Sequence, residues 1–357
     1  MTLFLSITLF CLAAAVILQN GRYYLGAYFF MGLAFITKGL IGIVLPALIF
    51  LIYLVWTKNL GEIRRARLGW GLLIIGFLFI PWGIAISIRE PEFSYVFIIE
   101  QHFQRFATGT FGRARPFWFF IPIFASLAFP WSLFLPAAAV QGLRGPNDHE
   151  KKVVQFLICW IAVIVIFFSI PRSKLPYYIL PASVPTAILV AVWLHRAQDT
   201  RLIKALFLSV GLISALAVAG LNAYLFLWAK DPRALAVREI FLPATLCVTV
   251  GWFLTAKHVK KARYGSAAWV MGGTLYALLL FIAAGMVSLS PYLSTYQEAK
   301  TLKALYKEGD RIAVYASPDS FSDISFHLGR RVIGVGSDHG TLTQELKDAD
   351  HAQELKT

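Results

Sequence analysis

Apolar residues occur along this chain in long uninterrupted stretches rather than in an alternating or amphipathic pattern. Together these stretches hold 196 of the 357 residues and contain no Lys, Arg, Asp or Glu. They are 1–18, 23–36, 40–56, 68–88, 117–140, 153–170, 177–194, 205–229, 240–256 and 266–289. A charged side chain costs about 2.5–3.5 kcal/mol at the bilayer centre, and a spanning helix needs roughly 20 residues. The pattern predicts a mainly α, polytopic membrane protein with about ten spanning helices.

The composition excludes the soluble globular class. Hydrophobic residues make up 58% of the chain and charged residues only 15%, whereas soluble domains have about 45–50% and about 25%. The three cysteines, Cys11, Cys159 and Cys247, all lie inside apolar stretches. No CxxC pair or Cys/His cluster occurs, so the sequence indicates neither a disulfide framework nor a zinc site.

The chain has a net charge of +14. The distribution of its basic residues favours a membrane topology over a nucleic-acid-binding surface. If the stretches alternate across the bilayer, one set of loops carries 15 Lys and Arg residues and the opposite set carries 10. The richer set is 19–22, 57–67, 141–152, 195–204 and 257–265. The positive-inside rule then makes this set cytoplasmic and places 37–39, 89–116, 171–176, 230–239 and the tail outside. Nucleic acid is not an expected partner.

The tail has a different pattern from the rest of the chain. We expect residues 1–289 to form the membrane domain and residues 290–357 to form a small extramembrane α/β domain. In the tail the pattern predicts a helix over 296–307, strands over 311–316 and 331–335, and a helix or strand over 320–328.

The loop 89–116 combines ionisable and aromatic side chains. Glu100, His102 and Arg105 alternate there with phenylalanines. If 95–106 is helical, Glu100 and His102 lie on different faces, so the spacing does not by itself indicate a shared metal. An amphipathic helix lying in the membrane interface explains the same pattern without a binding role.

Two further outer loops carry cations. Lys174 and Tyr178 belong to the hairpin RSKLPYY, where two cations and two tyrosine hydroxyls at the interface suit a phosphate. Anchoring of helix ends by Tyr, Lys and Arg is the alternative for this hairpin. Lys38 lies in a three-residue turn. Instead of binding an anion, its side chain could extend along the helix end to the membrane interface. Cations on the side that the positive-inside rule depletes indicate an anionic ligand.

Three motifs in order along the chain carry a family resemblance: GAYFFMGLAFITKGL, EQHFQRFATGTFGRARPFW and RSKLPYYILPASVP. The sequence resembles the polyprenyl-phosphate-sugar-dependent glycosyltransferases, and most closely the bacterial 4-amino-4-deoxy-L-arabinose (lipid A) transferases. These are related to the dolichyl-phosphate-mannose protein mannosyltransferases. The resemblance implies a GT-C fold in the bacterial inner membrane, with a periplasmic tail. It also implies transfer from a polyprenyl-phosphate sugar to a lipid A-like, glycan or protein acceptor.

The resemblance also implies roles for individual residues. Arg105, Lys174 and Tyr178 would hold the donor phosphate, with Lys38 as a further cation. His102 would lie near the phosphate or ligate a divalent ion, although no cofactor is firmly expected. Arg113 and Arg115 would meet an acidic acceptor, unless they are simply solvated loop charges. Cations at these places suit the reaction, because the phosphate gains charge as it leaves the sugar.

One departure from the family pattern bears on catalysis. In the family, a catalytic aspartate lies in the first outer loop and a second acidic residue lies before the fourth helix. Met1 aligns just after that second position, so we expect the first three helices and both acidic motifs to be absent and activity to be low. Glu100 is the weak substitute candidate. The carboxylates not excluded are Glu90, Glu92, Asp231 and Glu239. A transporter or flippase of an anionic lipid or solute, and a non-catalytic fragment, are the alternatives.

Overall fold

The computed structural model is helical over most of the residues that it describes. These are 1–90, 115–145, 147–171, 173–196, 200–228, 232–307, 312–314, 324–329 and 333–334. The chain divides by its internal contacts into two compact units, Met1–Gln198 and Asp199–Thr357. These units are defined by contacts within the protein and not by position relative to a membrane. The predicted boundary at 289/290, between membrane and extramembrane residues, therefore stays a prediction.

The first unit is a bundle of apolar helices around α1. Its helices are α1 (Thr2–Ile17), α2 (Arg22–Lys38), α3 (Ile41–Trp56), α4 (Glu62–Arg65), α5 (Leu68–Arg89), α6 (Phe120–Leu127), α7 (Trp131–Arg144), α8 (Asp148–Ser169) and α9 (Ser183–Arg196). Short 3₁₀ helices at Phe117–Phe119 and Pro176–Ala182 precede α6 and α9. Helix α1 packs against α2, α3 and α8, and its Leu5 and Leu9 are fully buried.

Glycines set the turn between α2 and α3. Gly39 has φ 72°, a left-handed conformation that side chains with a Cβ disfavour. A Cβ on Gly42 would lie 2.5 Å from the backbone carbon of Ala34 and 2.6 Å from the amide nitrogen of Phe35. The two glycines therefore permit the sharp reversal that leaves Lys38 at the end of α2.

The second unit is built on three long helices. It contains α10 (Thr200–Ala223), a π-helical turn (Tyr224–Trp228), α11 (Pro232–Lys260), α12 (Tyr264–Leu293) and α13 (Tyr296–Leu305). Helices α11 and α12 pack along their length, and a Cβ on Gly251 would lie 2.0 Å from the Thr274 hydroxyl. Small residues allow this close approach of helices in a membrane, where packing rather than hydrophobicity drives their association.

Among its described residues, the tail contains the predicted helix and parts of the predicted strands. Strands β1 (Ala313–Val314) and β2 (Ile333–Gly334) form one parallel pair, and residues 324–328 are helical between them. A small apolar cluster consists of Ala299, Leu302, Ile312, Ile324 and Leu328. A C-terminal α/β domain is not supported by these described residues. Within the described residues the sheet has two strands of two residues each, which is too small to be stable independently.

The predicted number of ten spans is also not supported. Within the described part of the chain, six helices are long and apolar enough to cross a membrane, or seven if one bent pair counts as a span. The six are Leu68–Arg89, Asp148–Ser169, Pro176–Arg196, Arg201–Leu227, Ala234–Lys260 and Tyr264–Tyr292. The stretches 1–18, 23–36 and 40–56 do form helices, of 16 or 17 residues. Helices of that length span about 24 Å, less than the roughly 30 Å hydrocarbon core.

The bent pair is α6 and α7, whose axes differ by 100°. Pro130 lies at the break and has no N–H to continue the helix. Two serine hydroxyls form hydrogen bonds to backbone carbonyls near the break. Ser126 Oγ donates to Pro122 O and Ser132 Oγ donates to Ala125 O, each at 2.8 Å. Such side-chain bonds allow a broken helix to exist in an apolar environment.

Candidate functional site

Prolines shape the connection between α8 and α9. Leu175 is extended, with φ −123° and ψ 136°, as expected for a residue before proline. Pro176 begins the 3₁₀ helix and Pro181 lies within it, and α9 follows at Ser183. The chain therefore reverses between two membrane-spanning helices and holds its polar residues in a short ordered segment.

Lys174 is a buried cation in this segment. The residue is 4% exposed, and its Nζ donates to the carbonyl of Arg115 at 3.2 Å and also to that of Pro171. No carboxylate pairs with Lys174 among the described residues. An ammonium group has three N–H donors, so these two carbonyls leave one for another acceptor. Burial lowers the pKa of the Lys174 ammonium below its ordinary value, because desolvation disfavours the charged form.

Aromatic residues and a second polar residue lie close to Lys174 in the sequence. The half-buried Tyr178 ring lies 5.2 Å from the Phe168 ring at 37°, and 5.2 Å from the exposed Tyr177 ring. Ser173 is 5% exposed, and within the described structure its Oγ has no hydrogen-bond partner. The segment thus combines a buried cation, an unsatisfied hydroxyl and an aromatic wall, which is a suitable setting for a polar group on an apolar chain.

The other two described candidates differ in environment. Arg115 is exposed and reaches Lys174 through its carbonyl rather than its guanidinium. Lys38 is exposed at the end of α2. It makes no ion pair in the described part of the chain, and no hydrogen bond joins it to Lys174, Tyr178 or Arg115. Within the described residues, the structure therefore joins Lys174 and Arg115 by a hydrogen bond and shows no such bond to Lys38.

The remaining predicted site residues lie outside the described residues. They are Glu100, His102, Arg105 and Arg113. The helix expected over 95–106 lies there too. No group of three or more His, Cys, Asp or Glu residues suited to a metal occurs in the described ranges. The catalytic and metal assignments therefore stay predictions.

Sequence reasoning missed three polar groups at or beside Lys174: the carbonyls of Pro171 and Arg115, and the Ser173 hydroxyl. Every residue has a carbonyl, so no sequence signal distinguishes these two. Ser173 is part of the RSKLPYY hairpin, but only its burial without a partner makes it notable.

Comparison with known proteins gives a consistent match along the chain. Residues 1–84 match the family model described as dolichyl-phosphate-mannose-protein mannosyltransferase. An undecaprenyl phosphate-alpha-4-amino-4-deoxy-L-arabinose arabinosyl transferase from Yersinia enterocolitica is 31% identical over 98% of this chain. A second such enzyme, from Pseudomonas fluorescens, is 30% identical over 90% of it. The chain resembles the arabinosyl transferases. The resemblance expected from the sequence motifs is confirmed.

Solved structures show the same fold. ArnT from Cupriavidus metallidurans bound to undecaprenyl phosphate superposes with a TM-score of 0.75 at 23% identity, over 94% of this chain and 62% of that one. The apo form gives a TM-score of 0.70 at 24% identity, over 97% and 63%. At this level of identity the likeness establishes the arabinosyl-transferase fold alone.

The match to these relatives is partial on their side. This chain covers 54% of the Pseudomonas arabinosyl transferase and 64% of the Yersinia one, so it spans about half to two thirds of their length. The similarity therefore concerns a large segment of an arabinosyl transferase, and that segment includes the buried Lys174.

Proposed function

We propose that this protein is an integral-membrane glycosyltransferase that transfers a sugar from a polyprenyl-phosphate donor to an acceptor. The observation that carries the proposal is Lys174, a buried ammonium with no carboxylate partner in the described structure. An isolated buried charge costs several kcal/mol, and a phosphate beside Lys174 would offset that cost. The arabinosyl transferases similar to this chain are named for an undecaprenyl-phosphate sugar, which is a donor of this class.

The chemistry of the proposed reaction requires cations at the phosphate. As the bond to the sugar breaks, negative charge develops on the leaving phosphate, and preorganised donors stabilise it most in a water-poor site. Lys174 supplies one charged donor and the Tyr178 hydroxyl a second, neutral one. Arg105 and Lys38 complete the proposed set of phosphate ligands. The aromatic wall of Phe168 and Tyr178 would contact the apolar part of the donor.

The acceptor side of the proposal rests on the loop 89–116. Arg113 and Arg115 would receive an acidic acceptor such as a lipid A phosphate, and glycan and protein acceptors remain within the same class of reaction. Glu100 would orient or deprotonate the acceptor hydroxyl, a role worth about 10²–10⁴-fold in rate. His102 would lie near the donor phosphate or ligate a divalent ion.

The proposed topology places this site on the outer face of the inner membrane. The short helices α1, α2 and α3 would cross together with the longer ones, giving ten crossings. The bilayer adapts to short hydrophobic helices at a modest cost per ångström. The loops 37–39, 89–116 and 171–176 would then share one face with a periplasmic tail.

A second candidate function, movement of an anionic lipid across the membrane, is favoured by one observation. The 100° break between α6 and α7 is of the kind that transporters use at their binding sites. Such breaks usually occur in pairs and together with ionisable residues inside the membrane. In the described structure only this one bent pair is found, so the glycosyltransferase remains the better-supported function.

The experiment uses the full chain in phosphatidylcholine nanodiscs and measures undecaprenyl phosphate binding. Lys174→Met should weaken binding by about tenfold or more, the value of a charge-assisted bond. Lys58→Met, at an exposed lysine of the predicted opposite face, is the control and should leave binding unchanged. Equal binding by both variants and the parent would contradict the proposed phosphate ligand.

Two activity measurements separate the candidate functions. Transfer of labelled aminoarabinose from undecaprenyl phosphate to lipid A in proteoliposomes would support the glycosyltransferase. Loss of that transfer in Glu100→Gln would identify the carboxylate. Donor translocation without any transfer, followed by quenching of a fluorescent analogue in the outer leaflet, would instead identify a flippase.

A further inference from the structure

A second polar site lies at the opposite end of α2 from Lys38. A cavity of about 850 Å³ opens there between the end of α1, the start of α2, the α4 turn and the start of α5. Its polar lining includes Gln19, Arg22, Glu62, Arg64, Arg65 and Arg67. Helix α2 has 17 residues, so the cavity is about 25 Å from Lys38 along the helix axis. Neither Lys38 nor Lys174 lines this cavity.

One arginine of this cavity, Arg65, forms an ion pair with a carboxylate of the protein itself. Glu62 is 5% exposed, accepts from the Tyr24 hydroxyl at 3.1 Å and pairs with Arg65 at 3.0 Å. Arg65 also donates to the side-chain carbonyl of Gln19. These bonds satisfy the buried carboxylate and connect the α4 turn to α1 and α2. The single carboxylate of the cavity is thus already neutralised by Arg65.

The other three arginines have no carboxylate partner among the described residues. Arg22, Arg64 and Arg67 are exposed, and no carboxylate pairs with any of them in the part of the chain that the structure describes. Like charges converging on one cavity repel one another unless an anion or water screens them. The cavity therefore carries an uncompensated positive charge.

The backbone that carries these arginines is held rigidly. The Tyr28 hydroxyl donates to the carbonyl of Ala66, between Arg65 and Arg67, at 2.7 Å. A Cβ on Gly71 would lie 2.7 Å from the Tyr28 ring, so the start of α5 packs directly on that ring. The α4 turn is thus fixed against α2, which lowers the ordering cost of binding a ligand there.

We propose that this cavity binds the phosphate group of an anionic phospholipid. Guanidinium groups match phosphate oxygens in two-point geometry, and basic pockets between membrane helices bind lipid head groups. A lipid fits better than free phosphate because large apolar side chains line the same cavity: Trp70 is 56% exposed and Leu25 is 45% exposed. Exposed tryptophan is typical of the membrane interface. In the predicted topology the lipid belongs to the cytoplasmic leaflet.

The test is native mass spectrometry of the full chain released from nanodiscs. The nanodiscs contain phosphatidylcholine with about one fifth phosphatidylglycerol. The variant is Arg22→Gln/Arg64→Gln/Arg67→Gln. Its matched control removes three exposed lysines of the same predicted face outside the cavity, Lys58→Gln/Lys260→Gln/Lys261→Gln. We expect the parent and the control to retain phosphatidylglycerol in preference to phosphatidylcholine. The arginine variant should lose that preference by roughly fivefold for each charge removed.

Three outcomes would overturn the proposal. Equal losses in the two triple variants would mean that the arginines act only as general positive-inside charge. Unchanged retention in the arginine variant would mean that lipid binds elsewhere. Inorganic phosphate that binds the detergent-solubilised chain and displaces phosphatidylglycerol at equal concentration would identify a free-anion site. Undecaprenyl phosphate binding, measured on the same arginine variant, should be unchanged, so this test is independent of the proposed function.

Discussion

The Lys174 ammonium donates to the backbone carbonyl of Arg115 at 3.2 Å, across 59 residues of sequence. This bond connects the end of the loop 89–116 to the hairpin between α8 and α9. Arg115, a predicted acceptor residue, is therefore a direct neighbour of the predicted donor residue Lys174. A glycosyltransferase needs this juxtaposition, because donor and acceptor must meet within one site.

The first prediction concerns the Tyr178 hydroxyl. In Tyr178→Phe we expect undecaprenyl phosphate binding to weaken by about tenfold, because a hydrogen bond to a charged group contributes about 1.5–3 kcal/mol. The adjacent Tyr177→Phe is the matched control, since that ring is exposed and lies only 5.2 Å away. Binding is measured in nanodiscs by titration. A larger loss in Tyr177→Phe than in Tyr178→Phe would contradict the assignment.

The second prediction concerns pH. Burial lowers the pKa of Lys174 below 10.5, so the free protein loses this charge at a lower pH than an exposed lysine does. Donor binding should start to decrease once the pH exceeds that lowered pKa. In Lys174→Arg the decrease should disappear, because arginine stays charged. An identical alkaline decrease in the parent and in Lys174→Arg would assign it to another group.

The same lowered pKa of Lys174 makes stability change with pH in the opposite direction to donor binding. Between the lowered pKa and 10.5 the unfolded chain binds more protons at Lys174 than the folded chain does. The free energy of unfolding therefore rises with pH in this window, and below it the full cost of the buried charge is present. Thermal unfolding of Lys174→Met should lack this contribution. A parent whose stability, relative to Lys174→Met, falls with pH through the window would disprove the shift.

The third prediction tests the packing of the α2–α3 turn. Gly42→Ala should destabilise the protein by about 1–3 kcal/mol, the cost of overpacking, because its Cβ meets rigid backbone atoms 2.5 Å away. Gly272→Ala in α12 is the control, with nothing within 4 Å of its Cβ. The control should be neutral or stabilising by up to about 1 kcal/mol, from helix propensity. Thermal unfolding in detergent measures both, and equal midpoints would show that α3 can shift away from α2.

The fourth prediction concerns topology. In a background in which the three native cysteines are replaced by alanine, Lys300→Cys should react with an impermeant maleimide in intact cells. Asp148→Cys should react only after the cells are permeabilised. Both side chains are exposed, so access depends on the side of the membrane rather than on burial. Labelling of position 148 alone in intact cells would reverse the proposed orientation.

Hydrophobicity along the sequence was sufficient to locate the helices. Each of the ten apolar stretches is helical over most of its described residues, because a chain segment in lipid must satisfy its own backbone hydrogen bonds. The number of spans was not predictable in the same way. Whether a stretch becomes one long helix, as at Asp148–Ser169, or two bent ones, as at 117–140, depends on local breaks such as that at Pro130.

The sequence by itself determined the class of protein and pointed to Lys174 through its position in a short motif. It also showed the arginines of the loop 57–67, but only as a count of charges. The tertiary structure decided the burial and the pairing of these cations. Lys174 is buried against the carbonyl of Arg115, whereas Arg65 pairs with Glu62 and the arginines beside it have no carboxylate in the described structure. Burial and pairing depend on segments distant in sequence, so residue type and spacing alone do not contain that information.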